Sequence, residues 1–165
     1  MLSHLRMCMY NSTSGAEQST DLPAGNLAYY VLALYSTCHD VSDFYGHDLL
    51  QLLKQKMHNF PVESFSNPFQ YSLALLALCN AESYIDSSFV NMFKGLQDDD
   101  GSYFYGDVDT TAMAAMALTC MSHMAQFVND ATINATLDGC VDYLRSRQEP
   151  SGNYANIFAS ALSDQ

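Results

Sequence analysis

Leu73-Ala74-Leu75-Leu76-Ala77-Leu78-Cys79 and Met116-Ala117-Leu118-Thr119-Cys120 end in cysteines 41 residues apart. Both runs are rich in Ala, Leu and Met and carry no charge. An α-helix of that composition is apolar nearly all round and must be buried on most sides. The same spacing leads back from Cys79 to Cys38, at the end of Leu32-Ala33-Leu34-Tyr35-Ser36-Thr37-Cys38, and forward from Cys120 to Ala161 in Phe158-Ala159-Ser160-Ala161-Leu162. Three cysteines and a small residue at one period form a repeat signal.

The segments between these runs have a polar face. Asp48-Leu49-Leu50-Gln51-Leu52-Leu53-Lys54-Gln55-Lys56 and Leu137-Asp138-Gly139-Cys140-Val141-Asp142-Tyr143-Leu144-Arg145 are amphipathic at helical spacing. Each repeat therefore pairs a buried inner helix with a half-exposed outer one, and about 41 residues accommodates two helices and two short connections. The pattern predicts inner helices over 26–38, 70–81 and 109–124 and from 155, outer helices over 45–58, 86–96 and 130–147, and no strand. Two loops echo each other: Gln97-Asp98-Asp99-Asp100-Gly101-Ser102-Tyr103 and Gln148-Glu149-Pro150-Ser151-Gly152-Asn153-Tyr154. Acidic and small residues, then Gly, then an aromatic describe a tight turn feeding a helix N-terminus. That turn resembles the one recurring in α/α toroids such as terpenoid cyclases, prenyltransferase β-subunits and complement thioester domains. The expected fold is all-α, an α/α toroid (α6/α6-barrel type) of helical hairpins, incomplete in this chain: three hairpins and the inner helix of a fourth, as in a fragment or a truncated gene product.

Composition narrows the function. The 165 residues hold 18 Asp and Glu against 6 Lys and Arg. Nucleic acid and anionic membranes both need basic surface, so neither is an expected partner. No apolar run is long enough to span a bilayer, and the segment from Met1 to Cys8 is not a signal peptide as it stands. The five cysteines, Cys8, Cys38, Cys79, Cys120 and Cys140, form no C-x-x-C pair. Asn11 and Asn134 begin N-x-S/T sequons, which fit a secreted glycoprotein. The histidines (His4, His39, His47, His58, His123) lack the spacing of a helical metal site, and Asp98-Asp99-Asp100-Gly101 lacks the first carboxylate of a calcium loop and is read as a turn.

The polar residues with chemical potential lie in Gly106-Asp107-Val108-Asp109-Thr110-Thr111-Ala112-Met113, at the start of the third inner helix. One Asp suits the helix N-cap, and the other can present a carboxylate at the end where inner-helix N-termini converge. Aromatic residues crowd that level: Tyr29, Tyr30, Phe69, Tyr71, Tyr103, Tyr105, Tyr154 and Phe158. They pack a core or line a concave site for a large, mostly apolar ligand. Asp107-Val108-Asp109-Thr110 is close to the D-x-D-D of class II terpenoid cyclases, but Thr replaces the last Asp and the chain has no Trp.

Val108-Asp109-Thr110-Thr111-Ala112-Met113-Ala114-Ala115-Met116-Ala117-Leu118-Thr119-Cys120-Met121 resembles a segment of the cobalamin (vitamin B12) carriers intrinsic factor, haptocorrin and transcobalamin. Leu73–Cys79, Tyr30–Cys38 and Gly152–Leu162 resemble further segments of the same family in the same order. The resemblance implies a partial cobalamin-binding α-domain over 25–165 after an N-terminal extension over 1–24, with its C-terminal part and the β-domain missing. It implies a secreted, extracellular, non-catalytic carrier of cobalamin that meets a cell-surface receptor and does not insert in a membrane. Matched by position, Asp109 stands where the family has the Asp that hydrogen-bonds the corrin's amide side chains. Phe69, Gln70 and Tyr71 lie at the pocket, Asn156 and Gln165 lie near the corrin, and Asn26 falls where some members have Gln. Transcobalamin carries a His that can ligate cobalt just before this stretch. Tyr105, Gly106 and Asp107 stand there instead, so no cobalt ligation is implied, and Phe158 replaces a Tyr.

Two alternatives differ in class: a terpenoid-cyclase- or prenyltransferase-like enzyme using Asp107 or Asp109 as acid, and a protein-interaction toroid. Periodicity permits a Cys38–Cys79 or a Cys79–Cys120 disulfide; the resemblance implies Cys79–Cys120, with Cys8 and Cys38 bonded elsewhere. Asp109 is expected to be held ionised by the positive end of the helix dipole, with Asp107 pointing away from it.

Overall fold

A computed structural model describes residues 22–62, 65–154 and 156–163. Seven helices occupy them: α1 (Ala24–Ser36), α2 (Leu49–His58), α3 (Pro68–Asn80), α4 (Ser87–Lys94), α5 (Val108–Ser122), α6 (Ala131–Arg147) and α7 (Ile157–Ser163). Among the described residues extended pairing is limited to three isolated bridges, so the fold is all-α. Side-chain carboxylates or amides start most helices. Asp48, Asn67, Asp86, Asp107 and Asp130 each accept a hydrogen bond from a first-turn backbone N–H. The second helix begins at Leu49 rather than at 45, because Phe44 and His47 close a tight turn in which Tyr45 and Gly46 take positive φ.

The odd-numbered helices pack side by side in chain order, α1 on α3, α3 on α5 and α5 on α7. They run parallel. Gln70, in the first turn of α3, lies against Gly25 at the start of α1. Cys79 and Cys120, near the C-terminal ends of α3 and α5, are joined as a disulfide with Cα atoms 6.2 Å apart. Asp109 and Asn156, at the starts of α5 and α7, are neighbours. The even-numbered helices form a second layer, with α2 on α1 and α3, α4 on α3 and α6 on α5. The core follows the inner row: Leu27, Ala28, Val31, Ala74, Leu75, Leu78, Ala114, Ala117, Leu118 and Met121 are fully buried. The outer helices contribute one face each, such as Leu49, Leu53 and Met57 from α2 and Phe89, Val90 and Phe93 from α4.

The repeat is less regular than its cysteines suggest. The residues preceding the inner helices are Pro23, Asn67, Asp107 and Asn156, at steps of 44, 40 and 49 residues. Cys79 and Cys120 alone come within one position of equivalence, 12 and 13 residues past their caps. The first inner helix ends at Ser36, and Cys38 lies beyond it in a left-handed turn (φ 59°), exposed and unpaired. Its counterpart after α3 is Glu82, also left-handed, because His39 N–H returns to Leu34 as Ser83 N–H returns to Leu78. Ala161 corresponds to Ala112, not to Cys120, since Asn156 takes the place of Asp107. Loops of unequal length cause the drift. Cys38–Cys79 pairing is thereby excluded, and Cys8 lies outside the described residues.

The echoed turns agree in detail. Gln97 Nε2 donates to the Gly101 carbonyl at 3.1 Å and Gln148 Nε2 to the Gly152 carbonyl at 2.9 Å. Asp98 N–H bonds Ser102 as Glu149 N–H bonds Asn153, and both glycines have positive φ. The acidic run is thus a turn: Asp100 accepts from the Ser102 N–H and hydroxyl, and Asp98 from the Tyr105 N–H. In the first turn Gly101 also touches the next outer helix, where a Cβ would sit 2.3 Å from the Gly139 carbonyl oxygen.

Two outcomes follow from this packing. Peptide mapping without reduction yields Cys79 linked to Cys120; closing a 41-residue loop contributes about 2–4 kcal/mol, lost in the Cys79→Ala/Cys120→Ala protein. Gly101→Ala combines a disfavoured φ with a backbone clash and lowers stability by more than about 2 kcal/mol in denaturant unfolding.

Candidate functional site

Parallel inner helices bring their N-terminal ends to one end of the molecule. Asn26 (exposed), Phe69 and Gln70 (half-buried), Asp109 (half-buried) and Asn156 (exposed) all stand in first turns or caps there. The two predicted aspartates divide their work. Asp107 is the N-cap, its Oδ2 accepting from the Thr110 N–H at 2.8 Å and from the Thr110 hydroxyl. Asp109, two residues further on, caps nothing. Its Oδ1 is buried with no hydrogen-bond partner among the described residues, and the Asn156 side chain stands near its carboxylate from the next inner helix. Asn156 is itself fixed as the cap of α7, accepting from the Ala159 N–H at 2.8 Å.

The electrostatics correct the expectation for Asp109. Burial chiefly, and the Asp107 carboxylate next, raise its carboxyl above the ordinary 3.8, against a lowering by the neighbouring Asn156 side chain. The helix dipole is outweighed, and Asp107 is near enough to repel. A buried, raised, unpartnered carboxylate oxygen is an acceptor that the fold leaves open.

The aromatic residues separate into three groups. Tyr71, Tyr103 and Tyr154 belong to the core. Tyr71 stacks on Phe65 and Phe93, meets Phe60 edge-on and donates to the Phe89 carbonyl; Tyr103 stacks on Phe93 and donates to the Phe93 carbonyl. Burial pushes both phenols far above their usual range. Tyr71 is therefore turned away from any ligand at the helix ends, contrary to its place among the expected pocket residues. Tyr30 and Phe69 are half-buried, whereas Tyr29 and Tyr105 project into solvent. The side chain of Phe158 and all of Gln165 and Asn11 lie outside the described residues. Asn134 is exposed in the first turn of α6.

One turn below Asp109, Ala112 begins an apolar groove of about 680 Å³. The groove follows α5 through Met116 to Thr119, with Leu144 of α6 and Leu162 of α7 on its other walls. Its size suits a large ligand. Among the described residues no group of three or more His, Cys, Asp or Glu could hold a metal ion. Sequence reasoning missed the scaffold behind the site. Gln97 Nε2 also donates to the Thr136 carbonyl and the buried Cys140 Sγ, and burial raises that thiol to about 12. Tyr143 donates its hydroxyl to the Gly106 carbonyl at 2.6 Å, tying α6 to the loop before Asp107. The Gln of the echoed turn was the one visible signal for the first.

Comparison with known proteins identifies the chain. The profile for eukaryotic cobalamin-binding proteins matches residues 2–165, and this chain belongs to that family. It is 30% identical over 177 residues to transcobalamin-2 of Mus musculus, covering 98% of this chain and 41% of that protein. It is 27% identical over 158 residues to the cobalamin binding intrinsic factor of Homo sapiens, covering 91% of this chain and 36% of that protein. The chain thus spans about two fifths of the length of these relatives.

Asp109 makes a stability prediction. A carboxyl raised in the folded state binds protons more readily there than in the unfolded chain, so its ionisation at neutral pH destabilises the fold. Asp109→Asn therefore melts above the wild type at pH 7. The gap is full above the folded pKa and disappears as pH falls towards 3.8, as circular dichroism melts at several pH values will read.

Proposed function

We propose that this chain forms part of a non-catalytic cobalamin carrier and binds the corrin at the N-terminal ends of its inner helices. The observation that carries this is Asp109: a buried acceptor atom without a partner, near Asn156 at the N-terminal ends of the inner helices, in a chain of the cobalamin-binding family. A corrin is large and mostly apolar, with a rim of amide side chains. An ionised Asp109 accepts from such amide N–H groups, and a charged acceptor makes the stronger hydrogen bond. Gln70 and Asn156 can supply neutral polar contacts at the same level, and Phe69 and Asn26 flank them. Cobalt ligation has no part in this reading, and extracellular residence, a receptor for the loaded carrier and glycosylation at Asn134 go with it.

The cyclase alternative gains from the raised Asp109 and its neighbouring carboxylate, which are what an acid catalyst needs. It loses because Asp107 is committed to capping α5 and because the family relationship is to carriers.

Absorbance titration of the purified protein with cyanocobalamin tests the proposal. Affinity is expected to fall in the order wild type, Asp109→Asn, Asp109→Ala, with the alanine loss on the order of 1.5–3 kcal/mol in a protein of retained helicity. Unchanged affinity in folded Asp109→Ala, or no binding by the wild type, contradicts it.

A further inference from the structure

The end of the molecule remote from Asp109 has its own chemistry. There α3 and α5 finish side by side, joined by the Cys79–Cys120 disulfide. The last turns of these helices and the loops that leave them line a cavity of about 590 Å³. Asp109 and Ser122 lie about 20 Å apart along the α5 axis, so this cavity is separate from the Asp109 site.

Glu82, on the wall of the cavity, is misplaced twice over. Its N–H bonds the Cys79 carbonyl at 2.9 Å and the Ser83 N–H bonds the Leu78 carbonyl at 3.0 Å, the pattern that ends a helix on a left-handed residue. That position favours glycine, and Glu82 holds φ 52° there despite its Cβ. Its carboxylate also sits at the negative end of the α3 dipole, where a cation stabilises and an anion does not. Nothing in the protein compensates. Among the described residues the Glu82 carboxylate has no ion-pair or hydrogen-bond partner, and neither Lys nor Arg occurs in 81–86 or 123–130.

The loop is nevertheless pinned. Ile85 N–H donates to Gln126 Oε1 at 3.3 Å, and Gln126 Nε2 donates to the Ile85 carbonyl. Ile85 is buried, whereas the ring of Tyr84 beside it lines the cavity and is 67% exposed. An aromatic ring left in water, a carboxylate held where the fold disfavours it and two helix C-termini thus converge on one recess. Residues that cost stability and are still fixed in place are the mark of a site.

We propose that this cavity binds a small organic cation of the quaternary ammonium class, with Glu82 as its counter-ion and Tyr84 as its cation–π face. Charge complementarity sets the sign. Glu82 and the C-terminal ends of α3 and α5 are negative, and Asp86 and Asp130, the caps of α4 and α6, add carboxylates in the same two loops. His123 is the one basic side chain on the wall. The walls set the type of cation. Met124 and the disulfide give an apolar, polarisable surface, which suits a methylated ammonium and not a strongly hydrated primary amine. Gln126 and the disulfide fix the walls in advance, which lowers the ordering cost of binding.

An NMR titration of the whole chain tests the site, with choline as the probe and dimethylbutanol, in which carbon replaces the charged nitrogen, as its neutral isostere. Choline should shift the Glu82, Ser83 and Tyr84 amides saturably and leave the Asp109 amide unmoved, and the alcohol should shift none of them. Glu82→Gln should weaken choline binding about fivefold and Tyr84→Leu about threefold. Glu82→Gly relieves the left-handed strain and the dipole conflict together. It should melt above the wild type and bind choline no better than Glu82→Gln does. Gained stability with lost binding is what a purely structural residue does not give. The absence of saturable shifts with choline overturns the proposal. Equal binding of the alcohol overturns it too, since the recess is then merely apolar. A Glu82→Gly protein that melts below the wild type does the same, since Glu82 is then part of the fold's own support. None of these outcomes bears on the cobalamin reading.

Discussion

Side-by-side parallel packing of helices that are apolar nearly all round is the constraint on which the molecule depends. Ala28, Ala74, Ala114 and Ala117 are fully buried in the inner row, and such small residues let neighbouring helices approach closely. The Cys79–Cys120 disulfide locks one end of that row. Because the helices are parallel, the other end collects their N-termini, with their caps, free backbone N–H groups and first-turn side chains. The outer helices complete the burial and, through Tyr143 and the Gln97 network, hold the connecting loops against the inner row. The site is a consequence of direction: antiparallel inner helices would scatter Asn26, Gln70, Asp109 and Asn156 between two ends.

Much of this was legible because the signals are physical. Ala- and Leu-rich runs have one stable fate in water, and amphipathic runs another. The Gln-to-aromatic turn was readable as a pair because its hydrogen bonds need those residue types at those positions. The single period was less sound. Cys38 shares the spacing but falls past the end of α1, and Ala161 lines up with Ala112, because loops absorb length changes that helices cannot. Helix starts were displaced where turn chemistry was overlooked, as at Tyr45 and Gly46 before α2.

The site was only partly legible. Asp109 and Asn156, far apart in sequence, were singled out separately, and the fold brings them together. Tyr71 was misassigned because an aromatic residue in a first helical turn can face the core or the end of the bundle, and sequence spacing does not say which. The electrostatics of Asp109 were misjudged for a related reason. The dipole term can be read from position in a helix, but burial and the direction of Asp107 depend on packing. Tyr105 was visible as an aromatic; its left-handed φ and its exposure follow from the loop conformation and not from residue type.

The account turns on Asp109 having an acceptor oxygen that ligand N–H groups complete. Donors to a carboxylate favour its ionised form, so binding must lower its pKa. By linkage, affinity is lost as pH falls through the raised, ligand-free value. The direct measurement is an NMR titration of the Asp109 carboxyl carbon, with and without cyanocobalamin. The account predicts a value above the ordinary 3.8 in the free protein and a clear fall in the complex. An Asp109 resonance whose titration is unchanged by saturating ligand would contradict it.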